Sequence, residues 1–203
     1  LDDALNLTNQ HKSVGRPREF EEGRVLDAVM NTFWNQGYEG TSLKDLCSVT
    51  GLHKGSLYQA FGDKHQLFLK SLKYYMEQSF KEVAASAYLH DSPMANLRSL
   101  LNEITTKCIE GEGCMVVNSL VEMAPHDQEV KQMIDQSYAM KQRFLTDLID
   151  RAQRDGEIRI KQEPDRLAAV LMVTLAGLAA TVKGFSNTDY VRHVLEDVLS
   201  SWL

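Results

Sequence analysis

The chain has 203 residues, which suits one or two domains; at 43% hydrophobic it can bury a core, and at 25% charged it is ordinary for a soluble protein. Its net charge of −6 excludes a uniformly basic nucleic-acid binder, although the placement of charge matters more than the total. Three cysteines, Cys47, Cys108 and Cys114, contain no CxxC pair and point to reduced thiols of a cytoplasmic protein rather than a disulfide scaffold. The longest uncharged run, Leu167 to Val182, has 16 residues, short of the ~18–20 needed to span a bilayer. No basic segment followed by an apolar run opens the chain, so neither a membrane partner nor a secretory signal is expected.

Residues 1–14 lack periodicity and read as a flexible tail. From Phe20 to Gln36, Leu26, Val29, Met30 and Phe33 recur at helical spacing, and Gly37 ends that helix. Thr41 or Ser42 caps the next, with Ser42-x-x-Asp45 resembling a capping box, and Gly51 closes it. A third helix runs from Lys54 to Phe61 and stops at Gly62. A long helix from Lys64 to about Tyr88 carries the stripe Phe68, Leu72, Tyr75, Met76, Phe80 and Val83. After a break at residues 90–93, Leu97, Leu100, Leu101, Ile104 and Cys108 share a face. Met115 to Met123 is apolar almost all round and predicts a short buried helix. Val130, Ile134, Tyr138, Leu145, Leu148, Ile149 and Ala152 mark a long helix ending near Gly156. An Ala-rich helix starts at Pro164, and Val191, Val194, Leu195, Val198 and Trp202 stripe the last one. The expected fold is all-α, with about nine helices: an N-terminal three-helix DNA-binding domain over 15–64 and a helical effector-binding and dimerisation domain over 65–203.

Residues 41–64 carry the sharpest signal: a capped helix, a Gly-centred turn and a second short helix, the layout of a helix-turn-helix. Lys54, Gly55, Ser56 and Gln59 are expected on its outer face, with Leu57 and Phe61 turned inward. Gln pairs with adenine, Lys contacts guanine or phosphate, and Gly55 permits close backbone approach. Thr41 and Ser42, at a helix start, and Tyr58 and Lys64 are expected to hold phosphates. Arg16 and Arg18 are expected on an extended arm that enters the minor groove, with Pro17 keeping the arm out of the helix.

The stretches GRPR, QGYEGTSLKDL and TGLHKGSLYQAFGDKHQLF, within residues 15–68, resemble the N-terminal domain of the TetR/AcrR family of transcriptional regulators. The resemblance implies an all-α homodimer that reads a palindromic double-stranded operator with two recognition helices about 34–36 Å apart. It also implies repression relieved by an inducer. His53 stands where the family often has a capping Ser, which puts the cap of the recognition helix in doubt.

Dimerisation is expected through the last two helices. Ala176, Gly177, Ala179, Ala180 and Gly184 would allow close approach, and Leu171, Leu175, Leu178, Val194, Leu195 and Val198 would supply apolar area. Met76, Phe80, Met115, Tyr138, Phe144 and Met172 are candidates to line a ligand pocket, or are ordinary core. Cys114, at a helix start, is the candidate sensor thiol, because a helix N-terminus favours thiolate. Asn118 and Glu122 follow on the same face, and Lys183 is a candidate partner. GCMVVNSLVE with the later AATVKGF resembles the electrophile-sensing N-ethylmaleimide reductase repressor subgroup, which implies that Cys114 reacts and Lys183 stabilises its thiolate or traps its sulfenic form. Cys108 is a candidate resolving thiol.

The inducer is thus expected to be either a small apolar molecule or an electrophile. A transcriptional activator of the same fold and a helical interaction module are the alternatives. An enzyme is disfavoured: no nucleophile–base pattern or phosphate loop occurs, and His193 with Glu196 is weak evidence for a metal. No cofactor is expected.

Overall fold

The computed structural model describes residues 16–110, 113–185 and 189–203, without the side chains of residues 16–21 and 192. Among the described residues there is no strand, and the helices follow in the order α1 (Arg16–Gly40), α2 (Leu43–Thr50), α3 (Lys54–Phe61), α4 (Lys64–Ala85), α5 (Pro93–Glu110), α6 (Met115–Glu122), α7 (Gln128–Arg154), α8 (Pro164–Val182) and α9 (Asp189–Ser200). A single 3₁₀ turn, Ser86–Tyr88, extends α4.

Local chemistry accounts for most boundaries. The Ser42 hydroxyl accepts from the Asp45 amide, while the Asp45 carboxylate accepts from the Ser42 amide, so the capping box closes in both directions. Gly51 then ends α2 in the left-handed conformation that favours glycine. Asp63 caps α4 and Asp127 caps α7. One expectation is corrected. Arg16 and Arg18 lie in the first turn of α1 rather than on an extended arm, and Pro17 sits beside them. A first-turn proline costs no hydrogen bond, because that N–H has no intrahelical acceptor. The side chains of Arg16 and Arg18, and the tail before them, lie outside the described residues.

Two apolar cores organise the chain. One holds Val29, Phe33, Leu46, Leu57, Phe61, Leu67, Phe68 and Leu72, and with them Met115 and Val116 of α6 and Ile134 of α7. The other holds Leu97, Leu100, Leu101, Leu145, Leu148, Ile149, Leu171, Leu195 and Trp202. The three-helix head is therefore not closed by its own residues: the first turns of α4 and one side of α6 complete it. Cys114 packs against both cores.

A polar tie also joins the two halves. The His65 ring nitrogen lies 2.5 Å from the Asp127 carboxylate, which also accepts from the amides of Glu129 and Val130. Burial alone would raise the Asp127 carboxyl, but the Val130 amide, His65 and the Glu129 amide outweigh it and hold it below its ordinary value. Stability from this group is thus present above about pH 4 and is lost as pH falls through the lower folded value. Asp127→Asn, which can still cap a helix, is expected to melt below wild type at pH 6, with the gap narrowing progressively as the pH is taken below about 4. A pH-independent gap in thermal melts would refute a charge contribution.

Candidate functional site

α3 presents the outward face that its pattern predicts. Lys54, Gly55, Ser56 and Gln59 are exposed and Tyr58 is half-buried, while Leu57 and Phe61 are anchored in the core. A side chain built at Gly55 would meet nothing within 4 Å, so the surface there is open. The Lys54 ammonium sits over the Tyr58 ring at 5.5 Å, and that of Lys64 over the Tyr38 ring at 4.3 Å. His53 makes no side-chain cap, leaving the first-turn amides of α3 to solvent or a phosphate. Ser42 is exposed at the start of α2. Thr41 is not available as expected: it is 1% exposed, and its hydroxyl donates to the Gly37 carbonyl at 2.6 Å, closing the turn that follows α1. Two exposed cations were missed in the sequence. Lys44 stands in the first turn of α2, and Arg24 borders the same surface groove as Ser56 and Gln59.

Beneath the head lies a cavity of about 320 Å³, lined by residues of α1 and α4 through α9 and partly open to solvent. The pocket candidates Phe80, Tyr138, Phe144 and Met172 line it, and so does Cys114. The Phe80 and Phe144 rings meet edge to face at 5.6 Å. Met76 and Met115 do not line it. Both are buried in the N-terminal core, because α4 and α6 each turn one face to the head. Cys108 lines the cavity with Cys114, but burial, then the neighbouring Cys114, pushes its thiol up to about 11. That makes it a poor thiolate source for a resolving role.

Asn118, Glu122 and Lys183 were expected beside the thiol. None of them lines the cavity; all three grip the end of α1. Asn118 Nδ2 and Lys183 Nζ both donate to the Trp34 carbonyl, at 3.4 and 3.3 Å. The Glu122 carboxylate accepts from the Tyr38 and Glu39 amides at 3.0 and 2.9 Å. These amides follow Gly37, where a positive φ of 77° breaks the helix and leaves donors without an internal acceptor. The polar stripe on α6 thus finds its partners in the backbone of the DNA-binding head.

Several cavity residues escaped the sequence reading, among them Trp34, Tyr75 and Lys141. Trp34 forms part of the wall, stacks edge to face on Tyr75 at 5.1 Å, and has a buried indole N–H without a hydrogen-bond partner among the described residues. Tyr75 in turn donates to Cys114 Sγ at 3.5 Å. Lys141 also lines the cavity. Its signal was legible: Ile134, Tyr138, Lys141, Leu145 and Leu148 follow one another at intervals of four and three, so a charge interrupts the apolar stripe of α7.

Expectations for the dimer face divide. Leu171, Leu178, Ala179 and Leu195 are buried inside the subunit. Gly177 and Ala180 are exposed, and with Val170 and Val173 (74% exposed) they form an uncovered apolar stripe on α8; Gly184, just past the end of the helix, is exposed too. By length and composition α8 is apolar enough to cross a membrane, yet one of its sides packs on α7 and α5.

A capped helix-turn-helix, a core shared with a helical body, and an apolar cavity under the head define a helix-turn-helix DNA-binding protein. Residues 25–70 match the family described as bacterial regulatory proteins, tetR family, and residues 93–198 match the tetracyclin repressor-like C-terminal domain. The chain is similar to the HTH-type transcriptional repressor ComR of Escherichia coli (26% identity; 94% of this chain, 93% of ComR). It is also similar to the uncharacterized HTH-type transcriptional regulator YezE of Bacillus subtilis (34%; 71% of this chain, 76% of YezE). Among solved structures, a cysteine-substituted form of the TetR family regulator CifR, complexed with 26-bp operator DNA, superposes with a TM-score of 0.80 at 27% identity, over 93% of this chain and 100% of CifR. The chain belongs to the TetR family: it is a DNA-binding transcriptional regulator, not an enzyme.

Proposed function

We propose that this TetR-family transcriptional repressor acts in the cytoplasm as a homodimer, joined through the uncovered stripe of α8 together with α9, and that occupation of its cavity releases it from operator DNA. α3 reads the major groove with Lys54, Ser56 and Gln59, and Ser42, Lys44, Tyr58 and Lys64 serve the phosphates. The observation that carries the release mechanism is Trp34. Its ring belongs to the cavity wall, its carbonyl is held by Asn118 and Lys183, and three residues later Gly37 and Glu122 fasten the end of α1. An occupant that moves Trp34 therefore bears on the first helix of the head, and a small shift there changes the spacing of the two recognition helices. Fluorescence anisotropy on labelled upstream DNA, at fixed salt, tests the reading. A small apolar ligand that binds the protein must lower operator affinity, and one that binds without effect on DNA overturns it.

A second reading keeps the same relay and starts it at Cys114. The thiol lines the cavity and touches both cores. Addition of its sulfur to an electrophilic carbon, as in a quinone, would force the two cores apart. Cys114→Ser is expected to bind operator like wild type and to resist release by benzoquinone, whereas wild type is released. Equal release of both proteins, measured by anisotropy, removes this reading.

A further inference from the structure

The charged side chains that line the cavity are not equivalent. Glu82 is paired with Lys107, which also meets Glu103. Asp27 accepts from the Tyr74 hydroxyl. Lys141 is half-buried in the cavity lining and has no hydrogen bond or ion pair among the described residues. An ammonium drawn partly out of water without a counter-charge is costly, and so is a buried N–H without an acceptor. The Trp34 indole N–H is such a group, in the wall of the same cavity. Both unmet needs are for an acceptor. A purely apolar occupant would satisfy neither, and would take from Lys141 whatever solvent still reaches it.

We propose that the cavity is built for a small aromatic or aliphatic acid, whose carboxylate pairs with Lys141 while its apolar body lies among Phe80, Phe144, Met172 and Leu175. This names the ligand class of the effector cavity and rests on the reading of that cavity given above. Burial pushes the Lys141 ammonium below its ordinary value, with the opposing influence of Cys114 too small to restore it. An anion supplies the missing counter-charge, so acid binding and retention of the proton on Lys141 reinforce each other. The Trp34 N–H provides a neutral donor for a second acceptor atom. At about 320 Å³ the space is at the small end of ligand sites, which favours one or two rings over an extended chain.

The test pairs 2-naphthoate with its neutral counterpart 2-naphthamide, titrated against the full chain and followed by calorimetry. Wild type is expected to bind the acid at least about tenfold more tightly than the amide, the span of a single charge-assisted contact. Lys141→Met, close in volume and uncharged, is expected to lose that preference while still binding the amide. Three results overturn the proposal: equal binding of acid and amide by wild type, a preference for the acid that survives in Lys141→Met, or no saturable binding of either probe. Operator release is measured separately by anisotropy. Acid binding that depends on Lys141 without release of DNA would leave this proposal standing and end the effector reading, whereas equal binding of acid and amide with release of DNA by both would do the reverse.

Discussion

Gly37→Ala is expected to lower the thermal midpoint by roughly 4–10 °C and to weaken the tie between the head and α6. Two independent effects add at this position. The backbone stands at φ 77° and ψ 173°, a region that is essentially glycine-only and costs other residues about 1–3 kcal/mol. A Cβ would also lie 2.9 Å from Glu122 Oε2 and 3.0 Å from Oε1. The carboxylate cannot simply swing aside, because it holds the Tyr38 and Glu39 amides. Thermal melts of Gly37→Ala, Glu122→Ala and the double variant separate the two effects. The clash disappears in the Glu122→Ala background and the backbone strain does not, so the second substitution is expected to be less harmful there. A midpoint within about 2 °C of wild type for Gly37→Ala alone would refute the strain argument.

Gly55→Leu is expected to separate folding from function. In the free protein the position is open, and replacing a helical glycine removes a cost of about 0.5–1 kcal/mol, so stability is unchanged or slightly higher. If α3 reads DNA as proposed, the same leucine stands between Lys54 and Ser56 at the start of the recognition helix, where the backbone comes close to the groove. Loss of about 1–3 kcal/mol at each half-site, applied twice in a dimer, lowers operator affinity by roughly 30-fold to 10⁴-fold. Anisotropy at fixed salt, with circular dichroism as the control for folding, checks both halves. A variant that folds and binds like wild type would mean that α3 does not enter the groove.

The head was largely legible because its signals are local. Ser42 and Asp45 announce a capping box, Gly51 and Gly62 mark stops, and the alternation of Leu57 and Phe61 with exposed neighbours sets the outward face of an eight-residue helix. Each of these depends on atoms within four residues of one another. Thr41 was misread for the same reason: hydroxyls at adjacent positions look alike in sequence, and only the turn at Gly37 decides that one caps a helix while the other is buried. Met76 lies on an apolar stripe as predicted, but a stripe does not say which of two cores it joins.

By itself, then, the amino-acid order determined the helices, the Ser42 cap and the outward face of α3, since backbone hydrogen bonding and helical periodicity are short-range. The tertiary structure alone decided what the polar groups of α6 and α8 are for. Asn118, Glu122 and Lys183 are drawn to unsatisfied backbone atoms of Trp34, Tyr38 and Glu39, more than 80 positions away in the chain. It also decided that Lys141 and Trp34 share one cavity. Which distant donors and acceptors are left without partners depends on how the helices pack around that space, and no local spacing encodes it.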